Sequence, residues 1–246
     1  MAIVVTPTGG SFNKASSDPY NCRALGPLVL STGDSLIVAL AYDYGGVVNN
    51  VQWDNIFLTR DRQSVNADGV VCEIWSLHNV TGANSNILVD WSTAPTAMAS
   101  ETYQVSGLAT TSTLDKVNSA TGTDAPYNTG SSGVLSQANE LAIAAIGIES
   151  VLADFGAWTT GAGYVSGNEQ SVATSGGGAT SNIGIATAAI AVSSTAALQG
   201  DMNAAAPDWA ACIATYKAAA GGGGRGVLFE PNLVDNRQLV GGRLAR

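Results

Sequence analysis

Two stretches of the chain share one hydrophobic–polar pattern. Leu30-Ser-Thr-Gly-Asp-Ser-Leu-Ile-Val-Ala-Leu-Ala-Tyr42 passes from a leucine–serine pair through a short polar turn into an unbroken apolar run. Leu135-Ser-Gln-Ala-Asn-Glu-Leu-Ala-Ile-Ala-Ala-Ile-Gly147 does the same. The apolar runs, Leu36 to Tyr42 and Leu141 to Ile148, fall well short of the roughly 20 residues that a membrane-crossing helix needs. Their length and turn-rich flanks predict strands buried on both faces. A second pair follows in the same order, Ala99-Ser-Glu-Thr-Tyr-Gln104 and Cys212-Ile-Ala-Thr-Tyr-Lys217. The offsets are 105 residues for the first pair and 113 for the second. This repetition predicts two pseudo-repeated halves, about 1–110 and 111–217.

Taken in order, Ile3 to Val5 begins a short strand, and residues 8–21 are a Gly- and Pro-containing loop or edge segment. Leu25 to Leu30 leads into the first long apolar run. Val48 to Leu58 is a loosely alternating strand region holding Val51, Trp53 and Ile56, and Asp61 to Gly69 reads as a charged surface loop. Val70 to Leu77 is a strand. Asn86-Ile-Leu-Val-Asp-Trp91 alternates cleanly, with Ile87, Val89 and Trp91 on one face. In the second half, Leu114 to Val117 is a short strand and Asn118 to Gly133 a Ser/Thr/Gly loop. Asn182 to Val192 is Ala-rich, but its Ile183, Ile185 and Thr187 alternate as in a strand. No window sustains a 3.6-residue period. About six strands per half, closely spaced, predict an all-β chain, a jelly-roll-like β-sandwich over 1–217. Two small tandem sandwiches split near residue 110 are the competing arrangement.

Composition sharpens this picture. Charged residues are 12% of the 246, against 46% hydrophobic, which suits packed strands joined by tight turns rather than a disordered chain. The net charge of −9 disfavours nucleic-acid binding, which needs a basic surface. The charge is uneven. Residues 218–246 carry Arg225, Arg237, Arg243 and Arg246 against Glu230 and Asp235, so the body is more acidic than the whole. Ala218 to Gly224 reads as a Gly hinge. The segment beyond it, with Phe229, Leu233, Val234 and Leu239 among its apolar residues, would lose free energy if left in water. An extended C-terminal arm over 218–246 is therefore expected. Its partner-binding residues are Phe229, Leu233, Val234, Arg237, Leu239 and Arg243; folding back onto its own sandwich is the alternative. Met1 to Pro7 lacks a signal-peptide pattern, so synthesis in a cytoplasm is expected. Cys22, Cys72 and Cys212 lack metal-ligand spacing, and Cys72 and Cys212 read as buried thiols.

Chemistry is sparse in the pattern. His78 is the single histidine, so no His-rich zinc site can form. Gly130-Ser-Ser-Gly133 has the wrong spacing for a nucleophile elbow. Asp61, Asp68 and Glu73 offer paired carboxylates only as scattered acids. No catalytic residue, metal ligand or cofactor is assigned, and the chain is read as non-enzymatic. Of the five tryptophans, Trp75, Trp91 and Trp209 lie in strand cores, which leaves Trp53 and Trp158 freer for stacking on a sugar.

The doubled strand cores, with Asn139-Glu-Leu-Ala-Ile-Ala-Ala-Ile-Gly147 and the closing Trp209-Ala-Ala-Cys-Ile-Ala-Thr-Tyr-Lys217, resemble a β-sandwich module of tailed-bacteriophage structural proteins. The resemblance covers about residues 1–217 and carries no functional residue with it. It implies a virion structural protein of capsid-decoration, head-fibre or tail type, made in the host cytoplasm and located on the particle. Its partners would be other virion subunits, a capsid or tail protein, with self-association into a homo-oligomer such as a trimer; no nucleic acid and no membrane are expected. The alternative is a carbohydrate-binding or host-adhesion module presenting Tyr42, Tyr44, Trp53 and Trp158.

Overall fold

The computed structural model describes residues 2–8, 22–150, 159–160, 168–175, 182–195, 197, 199–201, 207–220 and 228–229. Among these there is no helix, and the fold is an all-β sandwich. The first strands are β1 (Val4–Pro7), β2 (Cys22–Leu30), β3 (Ser35–Asp43), β4 (Val47–Trp53), β5 (Ile56–Phe57) and β6 (Thr59–Val65). Then come β7 (Val70–Leu77), β8 (Ala83–Thr93), β9 (Met98–Ser106), β10 (Leu114–Gly122), β11 (Tyr127–Asn128) and β12 (Glu140–Ser150). The last are β13 (Thr159–Thr160), β14 (Asn168–Ser175), β15 (Asn182–Val192), β16 (Gln199–Asp201), β17 (Asp208–Lys217) and β18 (Leu228–Phe229).

The sandwich is four layers thick. Two central sheets, ordered β18-β1-β9-β3-β7-β6 and β10-β17-β12-β15-β14, pack face to face. A sheet ordered β2-β8-β4-β5 covers the outer face of the first, and the small sheet β11-β16-β13 contributes Tyr127 to the cover of the second. The two long apolar runs, β3 and the start of β12, lie inside these central sheets. Each is buried on both faces, which is why neither alternates. In β8, on an outer layer, Ile87, Val89 and Trp91 point inward and are buried, while the residues between them are not.

The seam between the central sheets mixes Ile, Leu, Val and Tyr with alanines and two cysteines, and is tightest where small residues meet. Gly147 of β12 faces Ala41 of β3 so closely that a methyl group added to the glycine would lie 2.7 Å from the alanine Cβ. The thiols reach across to backbone: Cys72 Sγ donates to the Ala145 carbonyl (3.6 Å), and Cys212 Sγ to the Cys72 carbonyl (3.2 Å). Both thiols are free and buried. Tyr103 Oη donates to Thr187 Oγ1 across the same seam, at 2.6 Å. Along one border, β6 is latched to β10. Arg62 donates to Ser119 Oγ, Ser64 Oγ to the Ala120 carbonyl, and Asn66 Nδ2 to the Gly122 carbonyl.

Several local expectations need correction. The expected loop from Asp61 to Gly69 begins as strand, since 59–65 form β6: the backbone completes the ladder on β7, while Arg60, Asp61 and Arg62 find partners on β7, β17 and β10. Residues 48–58 are not one run: Asp54 and Asn55 both adopt positive φ (51° and 61°) and turn the chain between paired Trp53 and Ile56. Two left-handed residues in a two-residue loop match the twist of a hairpin. The strand starting at Leu114 continues to Gly122 by pairing with β17, so polar composition there marked an outer strand and not a loop.

Candidate functional site

An open cleft lies where β6, β7 and β3 meet the start of β4. Along β7, Val70, Cys72 and Ile74 face the central seam, whereas Val71 and Trp75 face the covering sheet. Glu73, between the latter two, shares their face by strand alternation. On β6, Arg60 lies opposite Trp75, Gln63 opposite Glu73 and Val65 opposite Val71, with a register shift between Arg60 and Arg62. That bulge is decisive. Arg60 and Gln63 are three residues apart and would otherwise face opposite ways; one extra residue aims both at Glu73.

Glu73 is fully buried, and a buried carboxylate is stable only with partners. Arg60 Nη1 (3.0 Å) and Gln63 Nε2 (2.7 Å) donate to Glu73 Oε1, and Trp75 Nε1 donates to Oε2 (2.7 Å). The Arg60 guanidinium also lies 5.4 Å from the Trp75 ring centroid. Tyr42, on the neighbouring strand, has its hydroxyl within reach of Glu73 and Gln63. Burial, and after it the Glu73 charge, pushes that phenol well above its ordinary value.

Above this polar floor opens a cleft of about 330 Å³, walled by Tyr44, Val47, Val65 and Val71, with Arg60 and Gln63 at its base. Tyr44, Val47 and Val65 are exposed at 54%, 50% and 44%, an unusual concentration of apolar surface beside a buried charge pair. The turn carrying Tyr44 is fixed. Asp43 accepts hydrogen bonds from the Ala97 amide and the Thr96 hydroxyl, both 2.9 Å, and Tyr44 N donates to the Gly69 carbonyl at 2.7 Å. Gly45 closes the turn at φ 136°, a conformation that favours glycine.

Of the aromatic residues expected to present themselves to a sugar, the structure brings Tyr42 and Tyr44 to this cleft. Tyr42 is buried beneath it and Tyr44 is exposed. Trp53 corrects the expectation: it is fully buried, because the Asp54–Asn55 turn directs the last residue of β4 into the cluster under the covering sheet. Trp158 lies outside the described residues. The arm residues Leu233, Val234, Arg237, Leu239 and Arg243 also lie outside them. Phe229 does not leave the body: it pairs with Val5 as part of β18, parallel to β1. Leu228 and Phe229, expected in the arm, thus find a strand edge in their own chain.

The scattered acids are not brought together. Glu73 faces the covering sheet, whereas Asp61 at the bulge turns to the other side and accepts the Tyr216 hydroxyl at 2.7 Å. Burial raises the Asp61 carboxyl above its ordinary value, and hydrogen bonds from Tyr216 and Ser76 oppose that rise. His78 sits nearby, its Nδ1 3.0 Å from Ser35 Oγ and its ring 5.5 Å from that of Tyr216; burial lowers its pKa to about 4. Among the described residues no group of three or more His, Cys, Asp or Glu is arranged to hold a metal ion. Sequence reasoning missed Arg60 and Gln63, since the bulge that aims them leaves no composition signal.

No protein-family model matches this chain, and searches of curated proteins and of solved structures find no match either.

Proposed function

We propose that the chain is a non-enzymatic structural protein of a virion, a capsid decoration or accessory protein carried on the particle by the segment after Phe229. The observation that supports this reading is where that segment begins. β18 lies parallel on β1 at the border of a central sheet, so Phe229 stands at a sheet edge. In sequence, that segment combines Leu233, Val234, Leu239 and Leu244 with Arg237, Arg243 and Arg246, attached to an acidic body. Apolar residues would fill grooves on a neighbouring subunit while the arginines pair with its carboxylates, and the sheet border at β18 offers backbone groups for strand addition. The resemblance of the strand cores to phage β-sandwich proteins points the same way.

The test is deletion of residues 230–246, which keeps β18 in place. Melting temperature and cosedimentation with capsids or tails assembled alongside the protein are then measured. Unchanged melting with lost cosedimentation supports the reading. Retained cosedimentation rejects the segment as an anchor, and a large fall in melting temperature assigns the segment to the protein's own core.

A further inference from the structure

The geometry points to the Tyr44 cleft as a binding site for one neutral hexopyranose unit, such as the terminal sugar of a glycan. This goes beyond the structural role above and does not depend on how the protein is attached.

Three features select this occupant. The first is charge. Arg60 is the cation at the floor, and its Nη1 is matched to the buried Glu73, so the pair adds no net charge, on a chain that carries −9. A phosphate or carboxylate ligand would find no excess positive charge to compensate its desolvation. The second is the donor set. The Arg60 side chain is 41% exposed, and its remaining N–H groups project in the fixed plane that suits adjacent hydroxyls. Gln63 Nε2 is committed to Glu73, which orients the amide and leaves its oxygen as an acceptor. Both groups are held by a fully buried carboxylate, so the polar floor is formed before any ligand arrives. The third is shape. An exposed tyrosine ring on a pinned turn, flanked by Val47 and Val65, offers an apolar platform for the C–H face of a sugar ring. A volume of about 330 Å³ stands at the small end of ligand pockets, sized for one ring rather than a long chain.

The experiment uses the full chain. Saturation-transfer NMR and calorimetric titration are run with the methyl glycosides of glucose, galactose, mannose and N-acetylgalactosamine, and with sialic acid and glucuronic acid as charged comparators. Expected is millimolar binding of at least one neutral glycoside, little changed by salt and weakened at least roughly tenfold by Tyr44→Ala. Phe57→Ala, which removes a different exposed aromatic (63%), should leave it unchanged. Val47→Glu, placing a charged chain across the mouth, provides a second test that does not alter Tyr44. The proposal is overturned if no neutral glycoside binds, if only the acidic sugars bind, or if binding survives both Tyr44→Ala and Val47→Glu.

Discussion

Replacing Gly147 by alanine tests the packing that joins the two central sheets. The added Cβ would sit 2.7 Å from the Ala41 Cβ and 3.2 Å from Val70 Cγ2. A carbon–carbon approach of that kind is far inside the optimum of 3.5–4.0 Å, and neither neighbour is the end of a flexible chain. Both lie in fully buried strands of the opposite sheet, so the sheets must part locally. Overpacking of this sort costs about 1–3 kcal/mol. For a chain of this size, that corresponds to about 2–4 °C of melting temperature per kcal/mol. Ala41→Gly by itself should cost about 1 kcal/mol, from lost packing and the poor strand propensity of glycine. In the double variant the methyl group moves to the other side of the same contact and the clash is relieved. The assay is a double-mutant cycle by urea denaturation. The double variant should be more stable than the sum of the two single losses predicts, by at least about 1 kcal/mol. Additivity within about 0.5 kcal/mol would refute the reasoning, since it would mean that these two strands do not touch.

Three further expectations follow from the buried polar groups. His78 has a folded pKa lowered to about 4 from 6.5 by burial; the unfolded chain therefore takes up the proton first as pH falls. Its contribution is complete above pH 6.5 and is lost progressively toward pH 4, by up to about 3 kcal/mol. Stability of the wild type minus that of His78→Asn, measured against pH, should show this slope, and a flat difference would count against the assignment. Asp61 behaves in the opposite sense. Its folded pKa is raised, chiefly by burial, so ionisation costs stability as pH climbs from 3.8 through the raised value. Asp61→Asn should consequently be at least as stable as the wild type at pH 7, while Asp61→Ala, which strands the Tyr216 hydroxyl, should be less stable; chemical denaturation of the three proteins decides it. Glu73→Ala should cost about 3 kcal/mol, because Arg60, Gln63 and Trp75 lose their common acceptor, and intrinsic fluorescence of Trp75 should report the change.

Much of the fold could be read from the pattern. Strands enclosed on both faces have unbroken apolar sequences, and those in β3, β7, β12 and β17 announce themselves. The half-enclosed β8 announces itself by alternation. What stayed hidden has a common physical cause: polar residues whose partners are distant in sequence. Arg60, Arg62, Gln63 and Ser64 look like a solvated loop because their partners are Glu73, Ser119 and Ala120. Trp53 looked free because an Asp–Asn pair is a weaker hairpin signal than one containing glycine, yet the turn it makes sends the indole inward. Part of the candidate site was legible: Tyr44 from its turn context, but neither the burial of Tyr42 within β3 nor the floor that the bulge assembles.

The repeated pattern contains a further lesson about register. Aligning the two Leu-Ser pairs sets Leu36 on Leu141, yet Leu36 faces the covering sheet and Leu141 faces the central seam. In a strand a one-residue slip exchanges the two faces, so the match by residue identity is off by one in space. The backbone supplies a better anchor. Gly33 and Asn139, each just before the strand, adopt positive φ (92° and 66°). Aligning these two sets Ile37 on Ile143, Ala39 on Ala145 and Ala41 on Gly147, the first two pairs all facing the seam. The strand orders β1-β9-β3-β7-β6 and β10-β17-β12-β15-β14 then correspond position by position. Ala41 and Gly147 become matching positions, and they are also the pair that meets across the seam. The two strands approach so closely at this point that there is no room for larger residues on both sides. That constraint explains why this contact is alanine against glycine, and it makes the Ala41–Gly147 cycle a test of the stacking itself.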